Sequence, residues 1–286
     1  MRILHPSNIM LYPTQFGEFF CAHIPFSDPL QGTTGQDHLA IFMDPTMNKP
    51  HTNAAVALFQ GRQPLVRIHS ECLLGDALFS HLCGCGPELT ASFKLIAQEG
   101  SGIILYLRQE GRGIGLAEKI KALQLMHQSK ANDLISMDTF KANVLLGHPA
   151  DGRKYAFAAD ILRYFGAYHI RLLGHNPDKK KELENNGIVI KSLVPLIDRI
   201  ETAAIAEFIA KLLRGHQFHQ QAIETVNDQL KLMLKGSLEI PNSLRLALPL
   251  FIQASDTLPF DITSIDGINK LIRLLKLLLS NILRAL

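Results

Sequence analysis

Residues 72–86 read C-L-L-G-D-A-L-F-S-H-L-C-G-C-G and hold three of the four cysteines, Cys72, Cys83 and Cys85. This stretch constrains the fold more than any other, because soft thiolate ligands that converge on one ion must be brought together by a turn of the chain. Cys83 and Cys85, one residue apart, cannot bond to each other without strain, yet both can face one metal. Three protein ligands with an open fourth position is the pattern of a catalytic zinc. Three partly buried free thiols fit the same spacing, and the stretch alone does not decide. Cys21 lies far upstream with no spacing relation to the others.

The 286 residues suffice for one large domain or two smaller ones, and 47% apolar content argues for a packed core. A net charge of +3 with no Lys/Arg block gives no argument for nucleic acid as a partner. The start, MRILHPSNIMLYP, lacks the apolar run of an export signal, and no 18 consecutive uncharged apolar residues occur. Four cysteines without a disulfide framework suit a reducing compartment, so a cytoplasmic protein with no transmembrane segment is expected.

Strand signals fall at LAIFM (39–43), AAVALF (54–59) and PLVRIH (64–69), the last running into the cysteine stretch. A helix is expected next, with Pro87 at its first position, an apolar face of Leu89, Phe93, Ile96 and Ala97, and Gly100 as its stop. GIILYL (102–107) reads as a buried strand, followed by the loop R-Q-E-G-R-G-I-G (108–115) and a helix from Leu116 to Gln128. Asp138 is placed to cap a helix through Leu146. Beyond the loop 147–153 come a helix from Tyr155 to Phe165, a strand HIRLL (169–173), a short helix opened by Pro177, and a strand IVI (188–190). Strands alternating with helices predict an α/β domain, a mixed sheet with flanking helices, over residues 1–195. Residues 196–286 read as an all-helical extension, with helical period at 200–214, 219–235 and 263–286.

Three further groups of residues could carry chemistry. The glycines of 108–115 allow close backbone approach and its arginines can pair with phosphate oxygens, although a tight surface turn has the same composition. Asp151 and Arg153 flank Gly152, either as a plain ion pair or as an arginine held beside a phosphoryl group. Lys179, in N-P-D-K-K-K at a helix start, belongs to a solvated face or reaches an anion. The H-S-E of His69 to Glu71 resembles the H-x-E of zinc deaminases, but the required P-C-x-x-C does not follow.

Taken in order, V-R-I-H-S-E-C-L-L-G-D-A-L-F-S (66–80), C-G-C-G (83–86), R-Q-E-G-R-G-I-G-L (108–116), D-T-F-K-A-N (138–143), A-D-G-R (150–153) and R-L-L-G-H-N-P (171–177) resemble the GTP cyclohydrolase II family. The resemblance spans about residues 8–196 and implies an enzyme of riboflavin biosynthesis. Such enzymes open the guanine imidazole ring of GTP, release C8 as formate and release pyrophosphate from the triphosphate. It implies Zn²⁺ on Cys72, Cys83 and Cys85, there to activate the water that attacks C8, and Mg²⁺ with the triphosphate. It places Arg67, Ile68, His69, Ser70, Glu71, Glu88, Glu110, Gly111, Arg112, Leu123, Thr139, Gly174 and Lys179 at the substrate. Arg153 takes the position of a nucleophile at the α-phosphate, and Asp151 that of its proton acceptor.

Four positions depart from the family pattern: Leu123 where tyrosine is usual, Glu88 where glutamine is, Gly174 where threonine is, and Glu118 where asparagine is. Leu123 has no hydroxyl to move a proton, so the expectation is that ring opening and pyrophosphate release survive while deformylation is impaired. A family member acting on another nucleotide, and a non-catalytic nucleotide-binding homologue with a protein-interaction C-terminus, are the alternatives. In 263–286, Ile268, Leu271, Leu275, Leu278, Ile282 and Ala285 follow a 3–4 spacing, which fits a helical cluster or the interface of a homodimer.

Overall fold

The computed structural model describes residues 7–28, 33–47, 55–128 and 139–196, with isolated positions at 207–208, 211, 216, 225–226 and 228–229. The helical segments expected at 200–214, 219–235 and 263–286, and the cap expected at Asp138, lie outside the described residues, those isolated positions apart. The chain divides into two compact units. One comprises Met1–Ser80, Gly84–Lys119 and Asp151–Ile197; the other comprises His81–Cys83, Ile120–Ala150 and Asp198–Leu286.

The first unit is built on seven strands: β1 (Ser7–Thr14), β2 (Gly17–Asp28), β3 (Thr33–Met43), β4 (Leu65–Ser70), β5 (Gly102–Leu107), β6 (His169–Leu173) and β7 (Val189–Val194). Their order in one sheet is β1-β2-β3-β5-β4-β6-β7. The first three strands and β5 pair antiparallel; β5, β4, β6 and β7 pair parallel. This is the expected mixed α/β sheet. Pro13 is tolerated because β1 is an edge strand, where a missing N–H breaks no internal ladder.

β4 is buried along its whole length and has two chemically different faces. Val66 and Ile68 point into the hydrophobic core with Ile103, Leu105, Ala158, Ile161, Leu162 and Leu183. That side is covered by α5 (Ala156–Tyr164) and α6 (Pro177–Asn185). Arg67 and His69 point the other way, where α1 (Leu73–Asp76) and α2 (Cys85–Glu99) lie. α2 begins two residues before the expected Pro87, so Cys85 sits in its first turn rather than in a loop. Phe93 of α2 packs edge-on against Phe19 of β2, with ring centroids 5.1 Å apart.

The parallel strands fix where a ligand can sit. From β4 the chain moves to β5 on one side and then crosses to β6 on the other, so the topology switches direction beside β4. In open α/β sheets the crevice at the carboxyl ends of the strands at such a point is the binding place. The loops leaving β4, β5 and β6 there are 71–84, 108–115 and 174–176.

One expected strand is absent. AAVALF forms a turn over 55–61, with Ala57 at φ +57°. Its backbone N–H groups are used elsewhere: Ala57 N donates to Tyr164 O at 2.9 Å and Phe59 N to Phe165 O at 2.8 Å. The segment therefore satisfies carbonyls at the end of α5, which have no partner within the helix. In the second unit, α3 (Leu116–Gln128) continues from the first, and α4 (Thr139–Leu145) buries Phe140, Ala142 and Asn143.

The loop after β5 is pinned to β3 by His38, whose Nδ1 accepts from Arg108 N at 3.0 Å while its ring stacks on Phe157. Burial, then the Arg108 charge, pull the His38 pKa from 6.5 to about 4, against a smaller opposing pull from Asp37. The neutral ring is the folded form, so the unfolded chain takes up this proton first as pH falls. Stability should therefore decline from pH about 6.5 towards 4 by up to about 1.4 kcal/mol per pH unit. The carboxylates Asp76 and Asp151, held below their ordinary 3.8, contribute only at lower pH. Denaturant melts across this window should show the decline in the wild-type chain and a flatter profile in His38→Asn. Equal slopes would show that His38 is not its source.

Candidate active site

Cys72 ends the segment leaving β4 and sits at the N-terminus of α1; Cys85 opens α2. The Sγ atoms of Cys72, Cys83 and Cys85 all lie within 4.8 Å of one another. Cys21, paired with Ile41 in the β2–β3 ladder, is not among them. The approach is made possible by glycine: a Cβ on Gly86 would fall 2.2 Å from the Gly75 carbonyl oxygen, so α1 and α2 abut backbone to backbone. Sulfurs around a tetrahedral zinc at 2.3 Å stand roughly 3.8 Å apart, so the cluster needs only a small closure to hold one ion, and its soft donors suit zinc.

The cluster is enclosed by charged groups that the sequence reading did not single out. Asp76 accepts from Cys72 N at 2.9 Å and from the Tyr106 hydroxyl at 2.9 Å, and pairs with His69 Nε2 at 3.0 Å. Burial opposes the Asp76 charge, but the His69 and Tyr106 contacts more than offset it and lower its pKa. The Tyr106 phenol is pushed far up, by burial first and then by the Asp76 charge. On the other side, Lys119 Nζ stands 3.0 Å from Cys72 Sγ and 2.6 Å from Glu110 Oε1. Burial disfavours the Lys119 ammonium, yet its bonds to Cys72 and Glu110 raise its pKa overall.

The loop 108–115 folds back on itself with Gly111, Arg112 and Gly113 all in left-handed conformation, at φ +62°, +61° and +88°. For Arg112 that costs about 1–2 kcal/mol. The loop is held by Glu110, which accepts from Leu73 N at 2.6 Å and Gly111 N at 2.9 Å, and by the Arg112 carbonyl, which accepts from Gly152 N at 3.0 Å. Gln109 exchanges two hydrogen bonds with the Lys154 backbone, at 2.8 and 3.1 Å.

Those bonds bring Asp151 and Arg153 alongside the glycine loop. Asp151 grips the guanidinium at two points, Nε at 2.9 Å and Nη2 at 2.5 Å. The Tyr155 ring lies 5.9 Å from the Arg153 Cζ. Burial works against the Arg153 charge, but Tyr155, Asp151 and the nearby Cys85 thiolate raise its pKa, so it stays a cation. The Asp151 carboxylate is desolvated, yet Arg153 and then Arg112 hold it ionised.

Other residues expected at the substrate are occupied by protein partners. Arg67 forms a buried ion pair with Glu88, and His175 Nε2 stands 3.3 Å from the same carboxylate. Gly174 has φ +134°, and a Cβ there would lie 2.8 Å from Arg67 Nη1, so Arg67 can occupy its place only beside glycine. Lys179 Nζ donates to Ile68 O at 2.8 Å and lies over the Tyr155 ring. Glu71 accepts from Arg108 Nε at 2.7 Å, and Ser70 Oγ is buried next to Tyr155. Leu123, half-buried in α3, and Thr139, with a buried Oγ1 at the start of α4, belong to the second unit. Asp76 had a weak signal, a lone carboxylate in the apolar run L-L-G-D-A-L-F; Lys119 had none, because a helical lysine reads as solvated.

A thiol cluster and a clamped arginine at the carboxyl ends of parallel strands define an enzyme-type site in an α/β protein. The GTP cyclohydrolase II family profile matches residues 11–195. A Neisseria meningitidis serogroup A protein named GTP cyclohydrolase-2 is 50% identical over 136 residues, 48% of this chain and 66% of that protein. An Acinetobacter baumannii protein of the same name is 42% identical over 184 residues, 64% of this chain and 80% of that one. A Bacillus velezensis protein named Riboflavin biosynthesis protein RibBA is 43% identical over 188 residues, 64% of this chain and 40% of that one. The chain belongs to the GTP cyclohydrolase II family and is an enzyme of that type. Among the described residues, no helix is long and apolar enough to cross a membrane.

The Gly86 contact yields a direct prediction. Gly86→Ala must push α2 away from the Gly75 carbonyl and carry Cys85 off Cys72. Zinc bound per chain after dialysis should fall well below that of the wild type, while the far-ultraviolet spectrum keeps its α/β shape. Unchanged zinc retention would show that this contact does not set the cluster.

Proposed function

We propose that the chain hydrolyses GTP at C8 of its imidazole ring, releasing formate and pyrophosphate and leaving 2,5-diamino-6-ribosylamino-4(3H)-pyrimidinone 5′-phosphate. The observation that carries this reading is the convergence of Cys72, Cys83 and Cys85 in a chain that also clamps Arg153 with Asp151. Bound by the three thiolates with a fourth position open, Zn²⁺ supplies a Lewis acid and brings the pKa of a water held there towards neutrality.

The remaining roles follow from the side chains. Arg153 offers a flat, permanently charged fork to a phosphoryl group, pre-oriented by Asp151 and backed by Tyr155. That charge argues for electrostatic stabilisation at the α-phosphate rather than for nucleophilic attack, because a protonated guanidinium has no lone pair to give. Arg112, kept in its costly conformation by the Gly152 hydrogen bond, adds a second cation near Asp151. Mg²⁺ accompanies the triphosphate as part of the substrate. Glu88 and Gly174 act by seating Arg67 within the protein, and Lys179 by closing the end of β4.

A second reading rests on Leu123, which presents no polar side-chain atom. In it the reaction stops at the formamide. The two are separated by incubating the zinc-loaded chain with GTP and Mg²⁺ and measuring pyrophosphate, formate and the pyrimidine mass. Equimolar pyrophosphate and formate with the diamine is the expected result. Pyrophosphate with the formamide and no formate selects the truncated reaction, and GTP recovered intact would refute both.

A further inference from the structure

The residue with the most direct hold on the thiol cluster is not a ligand. Lys119 reaches from the first turn of α3 to Cys72 Sγ at 3.0 Å and Glu110 Oε1 at 2.6 Å. Glu110 is itself fixed at both oxygens. Oε2 accepts from Leu73 N, next to Cys72, and Oε1 also accepts from Gly111 N. The lysine stem is seated against the same loop, since a Cβ on Gly111 would lie 2.9 Å from the Lys119 Cβ. One carboxylate and one ammonium thus tie together the cysteine segment, the glycine loop and the sulfur of one ligand.

We propose that Lys119 is a charge-compensating positioning residue for the metal centre, with Glu110 holding it there. The inference rests on the reading that Cys72, Cys83 and Cys85 bind a divalent ion. Three thiolates around such an ion leave one net negative charge in a partly buried place, which a polyanionic substrate has to approach. The Lys119 ammonium cancels that charge. Its charge-assisted N–H···S bond also draws electron density from Cys72, which makes the sulfur a weaker donor and the bound ion a stronger Lewis acid. Glu110 is thereby assigned to the protein framework rather than to substrate contact, since both oxygens are engaged within the chain. The asymmetry is specific: this cation bonds to the buried member of the trio, Cys72, at the N-terminus of α1.

The test uses the full chain with Co²⁺ as the probe, because its thiolate-to-metal charge-transfer band reports sulfur donor strength without any turnover. In Lys119→Met the band should move to lower energy and Co²⁺ binding should weaken about tenfold or more, the usual effect of losing an outer partner of a ligand. Lys119→Arg, which can donate to the same sulfur, should restore both. An unshifted band with wild-type affinity in Lys119→Met overturns the inference and leaves the metal reading standing. Where Lys119→Met does not fold, Lys119→Gln removes the charge with less loss of polarity and is judged by the same two readouts. If the wild-type chain gives no thiolate-to-cobalt band, the metal reading falls and this inference falls with it.

Discussion

The backbone contact between Gly86 and Gly75 sets the rest of the site. With no side chain on either residue, α2 rests directly on the carbonyl of α1, and the two cysteines at the starts of these helices are drawn into one place. Asp76, the residue after Gly75, is then where the Cys72 N–H, the His69 ring and the Tyr106 hydroxyl all point. A carboxylate with three donors is stable in a buried setting where a bare one would not be. The short helix α1 therefore positions the metal-ligand loop, anchors β4 through His69 and anchors β5 through Tyr106.

β4 shows how the fold accommodates that demand. A strand buried on both faces is normally apolar throughout, yet this one carries Arg67 and His69 on one side. Each is matched: Arg67 by Glu88, His69 by Asp76. Buried ion pairs add little net stability, but breaking one leaves an uncompensated charge and costs about 3–5 kcal/mol. The pairs act as a register lock. They specify which helix lies over which strand at the end of the sheet where the loops converge. Gly174 belongs to the same arrangement, because its missing Cβ is the space that Arg67 fills.

Much of this was legible in the sequence, and the failures have physical causes. Strand β6 over 169–173 and the helix from Leu116 to Gln128 match their patterns residue for residue, since each carries an uninterrupted period and clear stops. AAVALF misled because its apolar residues serve a turn that caps α5, a tertiary use of hydrogen bonds that no local pattern records. Pro87 misled by two residues, because a proline is tolerated anywhere in the first turn of a helix. The three cysteines were visible as a spacing, and their convergence is a matter of Gly75 and Gly86. Glu88 and Gly174, read as substrate positions, are an ion-pair partner and the gap beside it. Long-range electrostatics of that kind leaves no periodic trace.

The chain's charged groups are thus sorted into two kinds. Arg67, Glu88, His69, Asp76, Glu110 and Lys119 hold the framework, whereas Arg153, Asp151 and Arg112 remain arranged around a place for phosphate. That division depends on a metal held by Cys72, Cys83 and Cys85. X-ray absorption at the zinc edge on the full chain tests it most directly. The account predicts three sulfur neighbours at about 2.3 Å with one lighter atom completing the shell. Zinc surrounded by fewer than three sulfurs, or a chain that retains no zinc, would contradict it.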